Sequence, residues 1–291
     1  MRLSRNTPAK INLYLDVVGK RDDGYHEIQT LFLPLAAPAD TIAVTELAQT
    51  GLELHCEHPA VPDGEGNLCR KAATAFAVAA GCEPRWHIVI EKRIPVAAGM
   101  GGGSADAAAV LQMLDELQKN VLPAERLHEI AAQLGADVPF FLNPVPALAN
   151  GIGDVLRPLA VCISLPLVLV SPGFPITAAW AYANLDRTKR PHPPSLERLQ
   201  QALAAGDRDT IADCAWNALE FAAYDKFPML EMIRELLLSK GCTAAHVTGS
   251  GPAVFGLCSV EDQARIARDV RTYFGQNVEV FETTTLSAAP L

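Results

Sequence analysis

Two hydrophobic periods take turns along the first half of the chain. In residues 9–19, Ile11, Leu13, Leu15 and Val17 alternate with polar or aromatic neighbours, the two-residue period of a half-buried strand. Lys10, Asn12 and Tyr14 then share the strand's other face. A Gly-Lys-Arg-Asp-Asp-Gly turn at 19–24 leads to a second strand-like run at 28–35, with further β patterning at 41–47 and 52–56. Residues 67–80 are alanine-rich and helical, and Gly81 ends them. Residues 87–91 read as a strand and 124–134 as a helix stopped by Gly135.

Pro144, Pro146 and the Asn-Gly-Ile-Gly turn at 150–153 then interrupt the pattern, which puts a domain boundary near Arg157-Pro158. The expected domains are 1–157 and 158–291. The second half reads as a strand at 165–170, helices at 194–204, 210–223 and 229–239, a strand pair within 245–258, a helix at 261–274 and a last strand at 278–282. Strands split around helices in this way predict an α+β architecture. There is no internal repeat.

Between the strand at 87–91 and the next helix lies the densest glycine cluster, Gly99-Met-Gly101-Gly102-Gly103-Ser104. Glycines leave the backbone able to take positive φ and let a ligand approach closely. Ser104 is expected to cap a helix carrying Val110, Leu111, Leu114 and Leu117 on one face, so that its N–H groups and positive dipole end point at the loop. Such an end is an anion site, most often for phosphate. A P-loop would end Gly-Lys-Ser/Thr, and no lysine follows these glycines. A dinucleotide turn would need a second strand bearing a carboxylate, whereas the helical pattern runs on to Lys119. A flexible linker would not pass at once into a strong amphipathic helix.

The 291 residues carry a net charge of −9, the wrong sign for nucleic acid as main partner. An anionic ligand must therefore be held by local N–H groups and a few lysines. The chain's start lacks the apolar run of a signal peptide. The longest apolar stretch, 161–170, is too short for a bilayer and contains Pro166. Seven cysteines without a C-x-x-C pair read as buried thiols in a reducing cytosol.

Three further segments carry chemistry. Gly135-Ala-Asp137-Val-Pro139 places a carboxylate just past a helix end, before a proline expected to hold Val138 extended. Asp137 there is either a proton acceptor for an alcohol or a turn residue. Lys10, on a strand's polar face, is either an exposed lysine or a cation complementing Asp137 and a transferring phosphoryl group. Thr248-Gly-Ser-Gly-Pro252, inside β patterning, is a tight hairpin or a second glycine turn converging on the same phosphates.

Taken together, Pro8-Ala-Lys10-Ile-Asn12-Leu, Asp23-Gly24-Tyr25-His26-Glu27-Ile, the glycine loop at 95–109, Gly135-Ala-Asp137-Val-Pro139-Phe-Phe and Thr248-Gly-Ser-Gly-Pro252 span essentially the whole chain in order. The set resembles the galactokinase, homoserine, mevalonate and phosphomevalonate kinase superfamily, and within it the branch acting on 4-diphosphocytidyl-2-C-methyl-D-erythritol in isoprenoid synthesis.

That resemblance implies an N-terminal domain like the second domain of ribosomal protein S5, a ferredoxin-like C-terminal domain, and Mg-ATP-dependent phosphorylation of a tertiary alcohol. It implies that Pro95, Val96, Ala97, Ala98, Gly99, Met100, Gly101, Gly102, Gly103, Ser104 and Ala105 wrap the ATP phosphates, with Asn67 on the adenine side. Asp137 would take the hydroxyl proton and Lys10 would orient that hydroxyl. Asn12, Tyr25 and His26 would line the cytidine pocket, with Thr177 and Tyr182 on the second domain's wall and Trp180 a rival aromatic. The resemblance further implies a cytoplasmic enzyme, monomeric or weakly dimeric.

Two departures stand out. Many superfamily loops carry a second serine after the glycines, where this chain has Ala105, so any magnesium contact from that hydroxyl is lost or moved. Gly151-Ile-Gly-Asp154 replaces a common Gly-x-Gly-Glu, and Asp154 receives no role. Homoserine or mevalonate kinases have no cytosine to read, so Tyr25-His26 separates them from this chain, and Lys10 with Asp137 argues against a non-catalytic nucleotide-binding module.

Overall fold

The computed structural model describes residues 1–159, 161, 163–185 and 191–287. Strands β1 (Arg2–Lys20) and β2 (His26–Glu46) are longer than their alternation suggests, and β2 joins the two expected runs into one. β1 is also buried on both faces. Lys10, Asn12 and Tyr14 are as enclosed as Ile11, Leu13 and Leu15. After β3 (Gly51–Cys56), α1 (Leu68–Ala80) starts at the Asn67 cap and stops at a left-handed Gly81. β4 (Arg85–Glu91) and α3 (Ala124–Leu134) follow as patterned, with α2 (Gly102–Leu117) between them.

Val138 is helical, not extended, because it opens the short α4 (Val138–Leu142) with Pro139 second. The first N–H groups of a helix need no intrahelical acceptor, so a proline is tolerated there. β5 (Ala147–Asn150) and β6 (Val155–Pro158) pair antiparallel around the 150–153 turn, too short to register as alternation. β7 (Pro166–Pro172), α5 (Ala178–Ala183), α6 (Leu196–Ala205) and α7 (Arg208–Cys214) come next.

The single helix expected at 210–223 is broken. Residues 216 and 217 form β8 (Trp216–Asn217), parallel to Tyr14 and Leu15 of β1, before α8 (Glu220–Lys226). The buried Asn217 amide donates to the carbonyls of Val247 and Gly249, a long-range demand that overrides local helical preference. α9 (Pro228–Ser239), β9 (Ala244–Val247), β10 (Val254–Leu257), α10 (Val260–Phe274) and β11 (Val278–Thr284) complete the order.

The chain divides into two compact units. Unit 1 comprises Met1–Ala9, Pro38–Val96 and Gly101–Pro144. In it β4 lies between β3, parallel, and the Thr41 to Glu46 part of β2, antiparallel. Helix α2 packs against α1 and α4, and Phe76 meets Trp86 edge-on. Unit 2 comprises Lys10–Ala37, Ala97–Met100 and Val145–Leu291. Its antiparallel sheet runs β11-β7-β10-β9. With helices preceding β9 and α10 preceding β11, this is the split βαβ arrangement of a ferredoxin-like fold. Leu230, Ile233 and Leu237 of α9 and Ile266 and Val270 of α10 share a core with Val168, Val170 and Val254.

Both units mix helices and strands, in keeping with the α+β expectation. A single cut at 157/158 does not coincide with the two units, because β1 and β2 are continuous backbone whose halves pack with different neighbours.

Candidate active site

In unit 1, α2 begins one turn earlier than expected. Its N-cap is Gly101 at φ +73°, which offers no side-chain hydrogen bond, and Ser104 sits inside the first turn rather than capping it. The helix's opening N–H groups are thus left without a side-chain acceptor, as an anion site requires. Gly103 lies beside Leu68 and Gly102 beside Ile94, so the start of α1 flanks the loop. Asn67 is itself committed: its Oδ1 accepts from Cys69 N at 2.8 Å and its Nδ2 donates to the Pro62 carbonyl at 2.8 Å. Asp137 stands at the N-cap of α4.

Both ends of unit 1's share of the loop are tied by a buried ionic cluster that the sequence reading missed. Lys92 Nζ bonds Asp40 and, at 2.9 Å, Asp106. Asp40 Oδ1 accepts from the N–H groups of Arg93 and Ile94, just before Pro95. Asp106, in α2, also accepts from Thr7 Oγ1 at 2.9 Å. Burial pushes the Asp106 carboxyl up to about 6, against the pull of Lys92. Burial draws the Lys92 ammonium down, but Asp106 and Asp40 outweigh it and hold it above its ordinary value.

In unit 2, Ala97–Met100 is pinned to two other segments. The Lys10 N–H donates to the Met100 carbonyl at 3.0 Å, and the Ala253 N–H donates to that of Ala98 at 3.2 Å. Gly99 has φ +78°, and a Cβ there would sit 2.2 Å from the Thr248 carbonyl oxygen. No other residue fits. The 248–252 segment is the hairpin turn between β9 and β10, and it also abuts the glycine loop.

Beside it, Lys10 Nζ donates to Asn12 Oδ1 at 2.6 Å and lies over the Phe32 ring, 5.1 Å from its centroid. Asn12 Nδ2 donates to Thr30 Oγ1 at 2.8 Å, and the Asn12 N–H donates to Thr248 Oγ1 at 3.0 Å. Asn12 is 2% exposed, and its amide is engaged on both sides by this network.

His26 and Tyr182, far apart in sequence, stack with centroids 5.1 Å apart and planes at 19°. They line a hollow of about 300 Å³ with Gly19, Lys20, Ala183 and Leu185. Burial, helped by Lys20, lowers the His26 pKa and favours the uncharged ring. Tyr25 does not line that hollow and is 61% exposed on its turn. Thr177 caps α5 by accepting from Trp180 N. Trp180 meets Phe227 edge-on at 5.3 Å instead of joining His26. Asp154 accepts from the Ile152 N–H within its own turn.

Unit 1 therefore holds Asn67, Pro95, Val96, Gly101 to Ala105 and Asp137, and unit 2 holds Lys10, Asn12, Tyr25, His26, Ala97 to Met100, Thr177 and Tyr182. Thr30 and the Lys92 cluster left no periodic or motif signal, since their partners are supplied by other elements. Among the described residues no group of three or more His, Cys, Asp or Glu is placed to hold a metal ion, and no helix is long and apolar enough to cross a membrane. Cys56, Cys69, Cys82, Cys214, Cys242 and Cys258 are thiols, Cys82 only half-buried, and Cys162 lies outside the described residues.

Residues 67–143 match the family model for the GHMP kinases N terminal domain and 197–276 that for the GHMP kinases C terminal. The chain is 40% identical over 263 residues to the 4-diphosphocytidyl-2-C-methyl-D-erythritol kinase of Geobacter metallireducens, covering 90% of this chain and 92% of the relative. It is 40% identical to the kinase of the same name from Chlorobium chlorochromatii, covering 89% of each. A solved 4-(cytidine 5'-diphospho)-2C-methyl-D-erythritol kinase superposes with a TM-score of 0.83 at 36% identity, over 98% of this chain and all of that one. The homoserine kinase of Cytophaga hutchinsonii, with a TM-score of 0.77 at 18% identity over 98% of this chain and 95% of its own, shares the fold. At that identity to relatives matched nearly end to end, the chain belongs to the 4-diphosphocytidyl-2-C-methyl-D-erythritol kinase family of the GHMP kinases.

Proposed function

We propose that this chain transfers the γ-phosphoryl group of ATP to the tertiary 2-hydroxyl of 4-diphosphocytidyl-2-C-methyl-D-erythritol, giving the 2-phosphate and ADP. The observation that carries the reading is the uncapped start of α2 at Gly101, with Gly102, Gly103 and Ser104 in its first turn. Phosphoryl transfer is mostly positioning and charge stabilisation, and an N-terminal helix turn supplies both to a phosphate. Pro95 to Ala105 follow the triphosphate, and Asn67, by capping α1, shapes the adenine side.

The substrate oxygen attacks the γ-phosphorus as the bond to the ADP oxygen breaks. Asp137 receives the hydroxyl proton and Lys10 orients the oxygen and offsets charge. When bound, Mg2+ neutralises the phosphate oxygens. The Ser104 hydroxyl, in the first turn of α2, would be the loop's own donor to an ion carried by ATP. His26 and Tyr182 take the cytosine, with Tyr25 at the rim and Thr177 on the same wall. The two family matches at 67–143 and 197–276 fall on either side of residue 157, which supports family domains at 1–157 and 158–291.

The test is ADP release from ATP and magnesium with a panel of alcohols: the cytidine substrate, homoserine and mevalonate. ADP is expected with the first alone. Asp137→Asn should bind ATP as before while turnover falls by about 100-fold or more, the loss expected for a positioned base. Near-normal turnover in that variant removes Asp137 from the reaction.

A further inference from the structure

Lys10 acts in the proposed reaction only if its ammonium is held, and Asn12 of unit 2 is one residue that holds it. Thr30 Oγ1 donates to the Tyr14 carbonyl at 2.7 Å. Its single proton is thereby used, so toward Asn12 the oxygen can only accept. It accepts from Asn12 Nδ2 at 2.8 Å, which fixes the flip of the Asn12 amide. The Asn12 oxygen then faces the other way, where Lys10 Nζ donates to it at 2.6 Å and the Thr248 hydroxyl, at 3.4 Å, favours the same orientation. An ammonium has donors only, so the reversed amide would set its NH2 group against the cation. Thr30 is fully buried and Asn12 nearly so, and no exchange with bulk water corrects a wrong flip there.

We infer that Thr30 is a positioning residue: by fixing the orientation of the Asn12 amide it holds the Lys10 ammonium in place for phosphoryl transfer. The inference rests on the catalytic part given to Lys10 in the proposed function.

The experiment compares Thr30→Val, of nearly the same shape without the hydroxyl, with Thr30→Ser, which keeps it, in steady-state kinetics with thermal melts alongside. Thr30→Val should lose roughly 10- to 100-fold in kcat, the order of loss from a small misplacement of a catalytic group. Its KM for ATP should stay within about twofold and Thr30→Ser should keep most of the rate. In a Lys10→Met background, Thr30→Val should have no further effect on the residual turnover, because the residue acts through the lysine. Wild-type kcat in Thr30→Val overturns the inference, and so does an equal further loss in the Lys10→Met background. If Thr30→Val does not fold, Thr30→Cys, whose thiol is too weak a hydrogen-bonding group to replace the hydroxyl, carries the same expectations. If neither folds, Thr30 is a structural residue and the inference fails. Undiminished turnover in Lys10→Met, by contrast, defeats the reading of Lys10 itself, whatever Thr30 does.

Discussion

At the scale of single residues, the structure separates Tyr182 from its rival Trp180. Tyr182 stacks on His26 beside the hollow, whereas Trp180, two residues earlier, turns to Phe227. Base–aromatic stacking contributes about 1–3 kcal/mol, so Tyr182→Ala should raise the KM for the cytidine substrate roughly 5- to 150-fold and leave the KM for ATP alone. Trp180→Ala should lower Tm through lost packing while the cytidine KM stays near wild type. Kinetics of the two variants with both substrates decide it: the reverse pattern would assign the base to Trp180. Asn12 shows the other side of the same lesson. Its motif spacing marks it as functional, yet only the structure shows that its amide is engaged by Lys10 and Thr30.

At the scale of elements, α2 is joined to the segment entering the glycine loop by Lys92, Asp40 and Asp106. Burial raises Asp106 from 3.8 to about 6. The folded protein therefore binds this proton more tightly than the unfolded chain does. The contribution of Asp106 to stability is fully present below its unfolded value and lost as pH rises through about 6. Urea unfolding between pH 4 and 7 should show wild-type stability declining relative to Asp106→Asn, which cannot titrate. A difference that stays constant across that range would show that Asp106 does not change its proton on unfolding. The helix itself was legible from its apolar face. Its start was not, because a glycine N-cap leaves no side-chain signature and Ser104 imitates one.

At the scale of the whole molecule, no metal cage of three or more His, Cys, Asp or Glu exists among the described residues. Folding without ligand should then be indifferent to metal, while the proposed Mg-ATP-dependent reaction should not be. EDTA is expected to leave the Tm of the ligand-free protein unchanged and to abolish turnover, which added magnesium restores. ATP with magnesium at 100 times its Kd should stabilise the protein by about 2.7 kcal/mol through mass action. A fall in the ligand-free Tm with EDTA would reveal a structural metal instead.

The sequence by itself determined the α+β class, most element identities and the five motifs that place the chain in its kinase family. These are local properties: alternation, helix stops, glycine clusters and the order of short signatures are written in neighbouring residues. Only the tertiary structure decided that β1 is buried on both faces, that 210–223 breaks around β8, and that β1 and β2 each belong to two compact units. It alone brought Thr248 against Gly99, Thr30 against Asn12 and His26 against Tyr182. The reason is physical. A buried polar group must find a partner, and when that partner lies on another strand or turn, no period or motif in the chain records which one it will be.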